Sequence, residues 1–324
     1  MMGGPVGFGP EERMNQVLTR QDIDDAAANT SEWVRKTPVL DLHLPVLTIK
    51  QDIALKLELL QHTGSFKPRG AFNRILSQKA PKAGVIAASG GNHGLATAHA
   101  AQRLHLPCEI FVPEISSPVK VAGIRKLGAK VVITGKRYAD AFEASQKRAQ
   151  ETGALVVHAY DQPEVAAGQG TVARELEEQI GSFDVALVAV GGGGLLAGVA
   201  TWLGDRTRVV AIEPQRIPTL ASALKHKEPV DVDVDGVAAD SLGARRISAQ
   251  ALEVALRTGV ESVLVSDEAI VEARRMLWEE TRVAAEFGGA TALAALTSGA
   301  WKASPGDRVA VIVCGGNTDP SDLK

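Results

Sequence analysis

The sequence predicts an α/β fold with parallel sheets and helices on both faces. Three observations predict it. Short runs of Val, Ile and Ala without polar alternation recur along the chain, as strands buried on both faces require. Helical patterns separate them almost throughout, which implies parallel strands joined by helical crossovers. Alanine, valine and glycine are plentiful, while Phe, Trp and Tyr make up only 4% of the 324 residues, a balance common in such proteins.

The elements follow in order. Residues 54–59 read as a strand and 69–77 as a helix. Val-Ile-Ala-Ala at 85–88 is a buried strand, and 94–104 an alanine-rich helix. Strands at 108–112, 130–134 and 155–157 alternate with helices at 119–127, 138–152 and 166–179. Strand 185–190, helix 195–203 and strand 209–212 continue the rhythm. Residues 225–235, with Pro229 and alternating aspartates, are the most loop-like interior piece. Helices at 267–282 and 290–300 precede a last strand at 309–313. No repeat or long linker interrupts the chain. The rhythm suggests a small α/β domain at 84–158, inserted in a larger one made of 1–83 and 159–324.

Composition excludes several classes of function. Net charge is −3 with both signs mixed along the length, so no basic groove for nucleic acid is expected. Cys108 and Cys314 are the only cysteines, which argues against a disulfide framework and for a reducing cytoplasm. No Cys/His cluster has zinc spacing, and no metal is assigned. Residues 1–12 are Gly/Pro-rich without an apolar core, and read as a leader rather than a signal peptide. Residues 185–203 are uncharged and about as long as a bilayer span. Four consecutive glycines cut that stretch, however, so a buried strand, turn and helix is expected and no membrane partner.

Three strand-to-helix turns carry candidate chemistry. The first runs His62-Thr63-Gly64-Ser65-Phe66-Lys67-Pro68-Arg69-Gly70. A lysine at a helix start opposes the dipole unless an anion is bound there. Desolvation could keep such an amine neutral for Schiff-base chemistry, and Phe66 could cover a flat ring. The second runs Ser89-Gly90-Gly91-Asn92-His93-Gly94. Its backbone N–H groups form an anion cup suited to a carboxylate. Ser89 adds a hydroxyl, and Asn92 can donate to a phenolate-like oxygen; an ordinary turn with Asn92 as cap is the plainer alternative.

The third runs Gly191-Gly192-Gly193-Gly194-Leu195, a natural phosphate cup. It is ambiguous. Gly192, Gly194 and Ala197 also fit a dinucleotide fingerprint, and Glu213 lies where a ribose-binding acid belongs. A nicotinamide oxidoreductase therefore stays open at this point. A fourth piece, Cys314-Gly315-Gly316-Asn317, puts a small polar side chain at a strand's end, where it could touch a ring nitrogen or simply be a buried thiol.

In this order the four pieces resemble the fold type II pyridoxal-phosphate enzymes, specifically the threonine/serine dehydratase and serine racemase group. The segments Ala167-Gly168-Gln169-Gly170-Thr171 and Asp235-Gly236 are similar to family segments too. The likeness extends from about residue 37 to 319. It implies a two-domain, tryptophan synthase β-like fold and pyridoxal 5'-phosphate as cofactor. Lys67 then resembles the Schiff-base lysine, and Phe66 the residue against the ring. Asn92 matches the residue on the ring hydroxyl. Gly191, Gly192, Gly193, Gly194 and Leu195 match the phosphate cup. Cys314 matches the residue facing the ring nitrogen, and Glu286 an active-site glutamate, although Phe287 replaces the usual proline. Ser89, Gly90, Gly91, Asn92 and His93 become the substrate cup. Glu213 becomes a residue near a divalent-ion site, but the acid expected about six residues on is Thr219, so magnesium is not assigned.

The resemblance implies a reaction in which the Lys67 amine removes the Cα proton of a β-hydroxy amino acid. Water leaves, and the aminoacrylate hydrolyses to a 2-oxo acid and ammonia. Threonine would give 2-oxobutanoate and serine pyruvate. A neutral Cys314 thiol holds a carbanion weakly, which favours prompt β-elimination. Serine racemase is the weaker alternative, because its second acid is a serine where this chain has Gly90. A 3-hydroxyaspartate dehydratase is a further alternative, and the oxidoreductase a distant one. The biosynthetic relatives' regulatory domain has no counterpart before Lys324, which suggests a catabolic role. A small amino-acid substrate and a homodimer are expected, with Arg137, Tyr138, Tyr160 and Ser241 as candidate pocket residues.

Overall fold

The structure, a computed structural model, describes residues 17–42 and 52–323; the leader expected at 1–12 lies outside them. The strands are β1 (Val39–Leu42), β2 (Ile53–Lys56), β3 (Val85–Ala88), β4 (Cys108–Val112), β5 (Lys130–Ile133), β6 (Leu155–Val156), β7 (Val185–Ala189), β8 (Arg208–Pro214), β9 (Glu261–Val265) and β10 (Val309–Ile312). They form a six-stranded sheet in the order β1-β2-β10-β7-β8-β9 and a four-stranded sheet in the order β5-β4-β3-β6. All pairings but one are parallel. The exception is β1, which runs antiparallel to β2 with Val39 opposite Lys56. That edge adds one antiparallel pairing to the parallel sheets expected. An antiparallel neighbour needs no helical crossover, so it leaves no mark in the β–α rhythm.

The helices are α1 (Arg20–Thr30), α2 (Lys67–Ser77), α3 (Asn92–Arg103), α4 (Pro118–Lys126), α5 (Tyr138–Thr152), α6 (Pro163–Ile180), α7 (Gly194–Leu203), α8 (Thr219–His226), α9 (Ala239–Leu242), α10 (Ala249–Thr258), α11 (Asp267–Met276) and α12 (Phe287–Thr297). Four of these, α1, α8, α9 and α10, and the strands β1 and β9 are additions to the elements expected. The α1 start is written in the sequence: Thr19 accepts from Asp22 N, and Asp22 accepts from Thr19 N, a capping box. The helix expected at 267–282 ends sooner. It passes into a π turn at Leu277–Thr281, and Arg282, at φ 59°, stops it.

The uncharged stretch at 185–203 is interior. Every residue of β7 and α7 is buried, and no helix among the described residues is long and apolar enough to cross a membrane. Helix α7 lies close on α6 because Gly198 has no side chain. A Cβ there would stand 2.3 Å from Ala166 O and 2.4 Å from Gly170 N.

Helix α2 ties the two sheets together. Its Ala71, Phe72 and Ile75 pack into the apolar core of the smaller sheet with Val85 and Ile110. Its Arg69 turns the other way into a buried ionic cluster beside β2. There Arg69 forms a two-pronged pair with Glu58 at 2.8 and 2.7 Å, and also reaches Glu175 at 3.1 Å. Lys56 Nζ donates to Glu175 at 2.5 Å and to Gln179 at 2.7 Å. Charges this deep are tolerated only when paired and fully hydrogen-bonded. The start of α2, two residues from Arg69, is thereby fixed against α6.

Candidate active site

The four turns meet at the C-terminal ends of β2, β3, β7 and β10, where parallel α/β sheets place their ligands. The chain leaving β2 reaches Lys67 through a constrained loop. Thr63 has φ 61°, uncommon for a β-branched residue. Gly64 follows at φ 78°. The loop is then stitched to the chain after β10. Ser65 bridges to Gly315, Phe66 N donates to Cys314 O at 3.1 Å, and Gly316 N donates to Gly64 O at 2.9 Å.

Lys67 opens α2. Its Nζ donates to Ala159 O at 2.9 Å and lies 4.9 Å from the Phe66 ring centroid. Burial pushes its pKa down to about 8, partly offset by Cys314 and Glu286. Two imidazoles near this ammonium are held neutral. Burial first, then the Lys67 charge, lowers His93 to about 3 and His158 to about 4. A lysine in such surroundings presents a neutral amine at moderately alkaline pH.

At the end of β3, Ser89 Oγ accepts from Gly91 N at 3.2 Å, which curls the turn. Gly91 is the N-cap of α3 and gives no side-chain cap, so Asn92 is not the cap but the first helical residue. The side of Gly90 is occupied: a Cβ there would lie 2.7 Å from Ser116 Oγ. The His93 side chain does not join the turn. Its ring is buried and its Nε2 lies 2.8 Å from Val157 O. Only its backbone N–H remains at the helix start.

Asn92 belongs to a polar chain that the turns do not announce. Its Nδ2 donates to Glu286 Oε1 at 2.6 Å. Its Oδ1 accepts from Asn317 Nδ2 at 2.8 Å, and the same Asn317 nitrogen donates to Thr63 O at 2.7 Å. Asn317 had no role assigned from the sequence; its place at the end of Cys314-Gly315-Gly316-Asn317 is the one signal pointing to it. Glu286 is buried, and burial raises its pKa to about 7, the Asn92 bond pulling the other way. Cys314 is buried with its Sγ 3.5 Å from Gly288 O, and burial pushes its thiol up to about 12.

The tetraglycine turn follows β7. Gly193 has φ 90° and precedes α7 without a side-chain cap, so the first-turn N–H groups are open to an anion. Two of its carbonyls are held elsewhere: Thr219 Oγ1 donates to Gly191 O at 2.7 Å, and Ser248 N to Gly192 O at 3.1 Å. Tyr160 covers the turn, for a Cβ on Gly192 would lie 2.3 Å from its ring. Leu195 buries its side chain in the core of the larger sheet and offers the turn only its backbone.

Of the other candidates, Ser241 Oγ accepts from Gly288 N at 3.1 Å beside Glu286. Tyr138 is half exposed and stacks on Phe142. Arg137 is exposed and pairs with Asp140 at the head of α5. Glu213 is buried inside the fold. It accepts from Leu220 N at 2.6 Å, Ala221 N at 2.9 Å and Ser262 Oγ at 3.0 Å, so its carboxylate is taken up capping α8. The described residues contain no His, Cys, Asp and Glu group able to hold a metal ion.

A flat, phosphorylated aldehyde with a ring oxygen and a ring nitrogen fits what is left. Glu286 Oε2 and Ser65 Oγ are buried without a hydrogen-bond partner among the described residues, whereas buried polar atoms are normally paired. Ser65 pairs with Gly315 and Glu286 packs against the same glycine, and Ser65 lies two residues before Lys67.

Comparison with known proteins agrees with this chemistry. The family described as pyridoxal-phosphate dependent enzyme matches residues 30–315. The chain is 34% identical over 309 residues to the L-threonine ammonia-lyase of Thermotoga maritima, covering 94% of this chain and 76% of that protein. It is 36% identical over 299 residues to the phenylserine dehydratase of Ralstonia pickettii, covering 90% and 91%. The solved structure of maize serine racemase superposes with a TM-score of 0.88 at 29% identity, over 95% of this chain and 96% of that one.

Proposed function

The chain belongs to the pyridoxal-phosphate-dependent enzyme family, and from that premise we propose the part each residue of the site plays. The enzyme is a pyridoxal-phosphate-dependent lyase of the threonine/serine dehydratase type. It converts L-threonine, L-serine or a related β-hydroxy amino acid to a 2-oxo acid and ammonia. The observation that carries the assignment of roles is the meeting of a half-buried lysine of lowered pKa with a glycine cradle, Asn92 and a neutral thiol at one end of two sheets.

When bound, the cofactor supplies an electron sink for charge developing at the substrate Cα. Lys67 would hold the cofactor at its aldehyde carbon, and its nitrogen, when free and neutral, would be the base for the substrate Cα proton. Gly191, Gly192, Gly193 and Gly194, with the N–H of Leu195, hold the phosphate at the head of α7. Phe66 lies against the ring and Asn92 donates to its oxygen. Cys314, an un-ionised thiol whose proton is held by burial, would face the ring nitrogen. The backbone N–H groups of Gly90, Asn92 and His93 cup the substrate carboxylate, those of Ser89 and Gly91 being given to Phe111 O and Ser89 Oγ. Racemisation needs a second acid above the substrate, and Gly90 has none to give.

We also propose that residues 84–158 form the smaller domain, that the enzyme is a homodimer and that it resides in the cytoplasm. The resemblance supports the first two; two unpaired, buried cysteines suit the third. The test of function is a panel of β-hydroxy amino acids given to the cofactor-loaded enzyme and scored for 2-oxo acid, ammonia and chirality of the recovered substrate. Ammonia and 2-oxo acid in equal amounts are expected from threonine or serine. Inversion without ammonia would move the protein to the racemases, and silence across the panel would overturn the reading.

A further inference from the structure

Asn92 has three hydrogen-bonding positions that matter: one carbonyl oxygen and two amide hydrogens. The oxygen is taken by Asn317 Nδ2 at 2.8 Å, and one hydrogen by Glu286 Oε1 at 2.6 Å. One hydrogen remains. Asn317 has spent both of its own, the other going to Thr63 O at 2.7 Å. Its carbonyl oxygen rests against Gly64, where a Cβ would come within 2.4 Å. Asn317 therefore cannot turn its amide over without losing both bonds, because its oxygen would then face two other oxygens.

We propose that Asn317 is a positioning residue that fixes which way the Asn92 amide faces, so that Asn92 presents an N–H and never its oxygen to the cofactor's ring oxygen. The inference rests on the reading that Asn92 faces that oxygen, and goes beyond it by naming what orients Asn92. The geometry has a second consequence. Thr63 and Gly64 lie in the loop that delivers Lys67, whereas Asn92 opens α3 on the smaller sheet. Asn317 binds both, so the lysine and the ring-oxygen donor are registered to each other through one side chain.

The key variant is Asn317→Asp, which has the same shape but cannot donate to Asn92 Oδ1. Facing a carboxylate, the Asn92 amide turns over and offers its own hydrogens to position 317. The ring oxygen then loses its donor and takes up the proton it otherwise leaves on the Lys67 nitrogen. In the cofactor-loaded enzyme the long-wavelength visible band should weaken against the near-ultraviolet band, changing their ratio roughly tenfold, the factor that about one hydrogen bond to a charged group represents. A residue that only braces the fold would alter melting temperature without moving that ratio.

The companion measurement is a double-mutant cycle with Asn92→Ala. If Asn317 works through Asn92, Asn317→Asp changes the ratio in the native background and adds nothing in the Asn92→Ala background. Equal changes in both backgrounds, or a native ratio in folded Asn317→Asp, would overturn the proposal. If Asn317→Asp does not fold, Asn317→Ser, too short to reach Asn92, is read by the same cycle. An unchanged ratio in Asn92→Ala alone would instead remove the assignment of Asn92 to the ring oxygen, so the two failures are distinguishable.

Discussion

The Lys67 amine donates to the Ala159 carbonyl at 2.9 Å, which sets the head of α2 against the segment entering α6. The contact stations the amine beside Phe66 and beneath two neutral imidazoles. Replacing Lys67 by Ala should leave the fold intact, because the side chain is only half buried and the helix is anchored by Arg69. Activity should fall by about 10³-fold or more, the scale for losing a positioned base that is also a nucleophile. Visible absorption and 2-oxo acid release, measured on the same preparation, check this; a Lys67→Ala enzyme of near-native rate would remove the lysine from the mechanism.

The lowered pKa of Lys67 has a kinetic signature. Only the neutral amine attacks an aldehyde, so the rate at which cofactor-free protein captures pyridoxal phosphate should climb with pH and level off above about 8. An ordinary lysine would keep climbing to above 10. Stopped-flow absorbance across pH 6.5–10 distinguishes the two.

Glu286 gives a stability prediction of definite sign. Its folded-state pKa is raised from 4.5 to about 7, chiefly by burial. Between those values the native protein keeps a proton that the unfolded chain has released, so stability falls as pH rises through that window. Thermal melts of cofactor-free protein at pH 5 and 7.5 should show the decline, and Glu286→Gln, neutral throughout, should flatten it. An equally steep decline in Glu286→Gln would assign it to other groups.

The glycine cradle should tolerate no side chain. Gly193→Ala forces an L-residue to φ 90° and brings its Cβ to 2.4 Å from Ala251 Cβ. A cost of about 1–3 kcal/mol in stability is expected, with cofactor affinity at least about tenfold weaker. Denaturant titration and cofactor titration report the two effects separately.

Chelation should change nothing. Three donors, Leu220 N, Ala221 N and Ser262 Oγ, already engage the Glu213 carboxylate, so dialysis against a chelator, or added magnesium, should leave kcat and KM as they were. Strong activation by a divalent ion would mean that Glu213 lets go of the α8 head. Glu213→Gln should instead lower the melting temperature, because two backbone N–H groups lose their charged cap.

The site was legible in the sequence wherever its signals are local. A buried Val-Ile-Ala-Ala run followed by Ser89-Gly90-Gly91-Asn92 declares a strand, a turn and a helix start within ten residues. The same holds for 185–203, and for Lys67 beside two glycines. What is not local is not legible. Asn317 meets Asn92 across 225 positions, and nothing in either segment names the other. Glu213 sits where a ribose ligand would, because a strand's end suits both purposes; the N–H groups that claim it become visible only once α8 is in place. His93 shares a motif with Asn92 yet points its ring to Val157, since neighbouring residues on a helix face different sides. Strand β1 and the half-buried β9 are sheet edges without the doubly buried pattern that betrays the interior strands.

Both cysteine thiols lie inside the protein with pKa values pushed up to about 12. At neutral pH only about one in 10⁵ of either would be thiolate, the form that reacts. Alkylating agents and peroxide should therefore spare the native enzyme, even though one sulfur belongs to the candidate active site. Labelling by such reagents becomes a clock for opening of the fold, Cys108 timing the smaller sheet and Cys314 the larger.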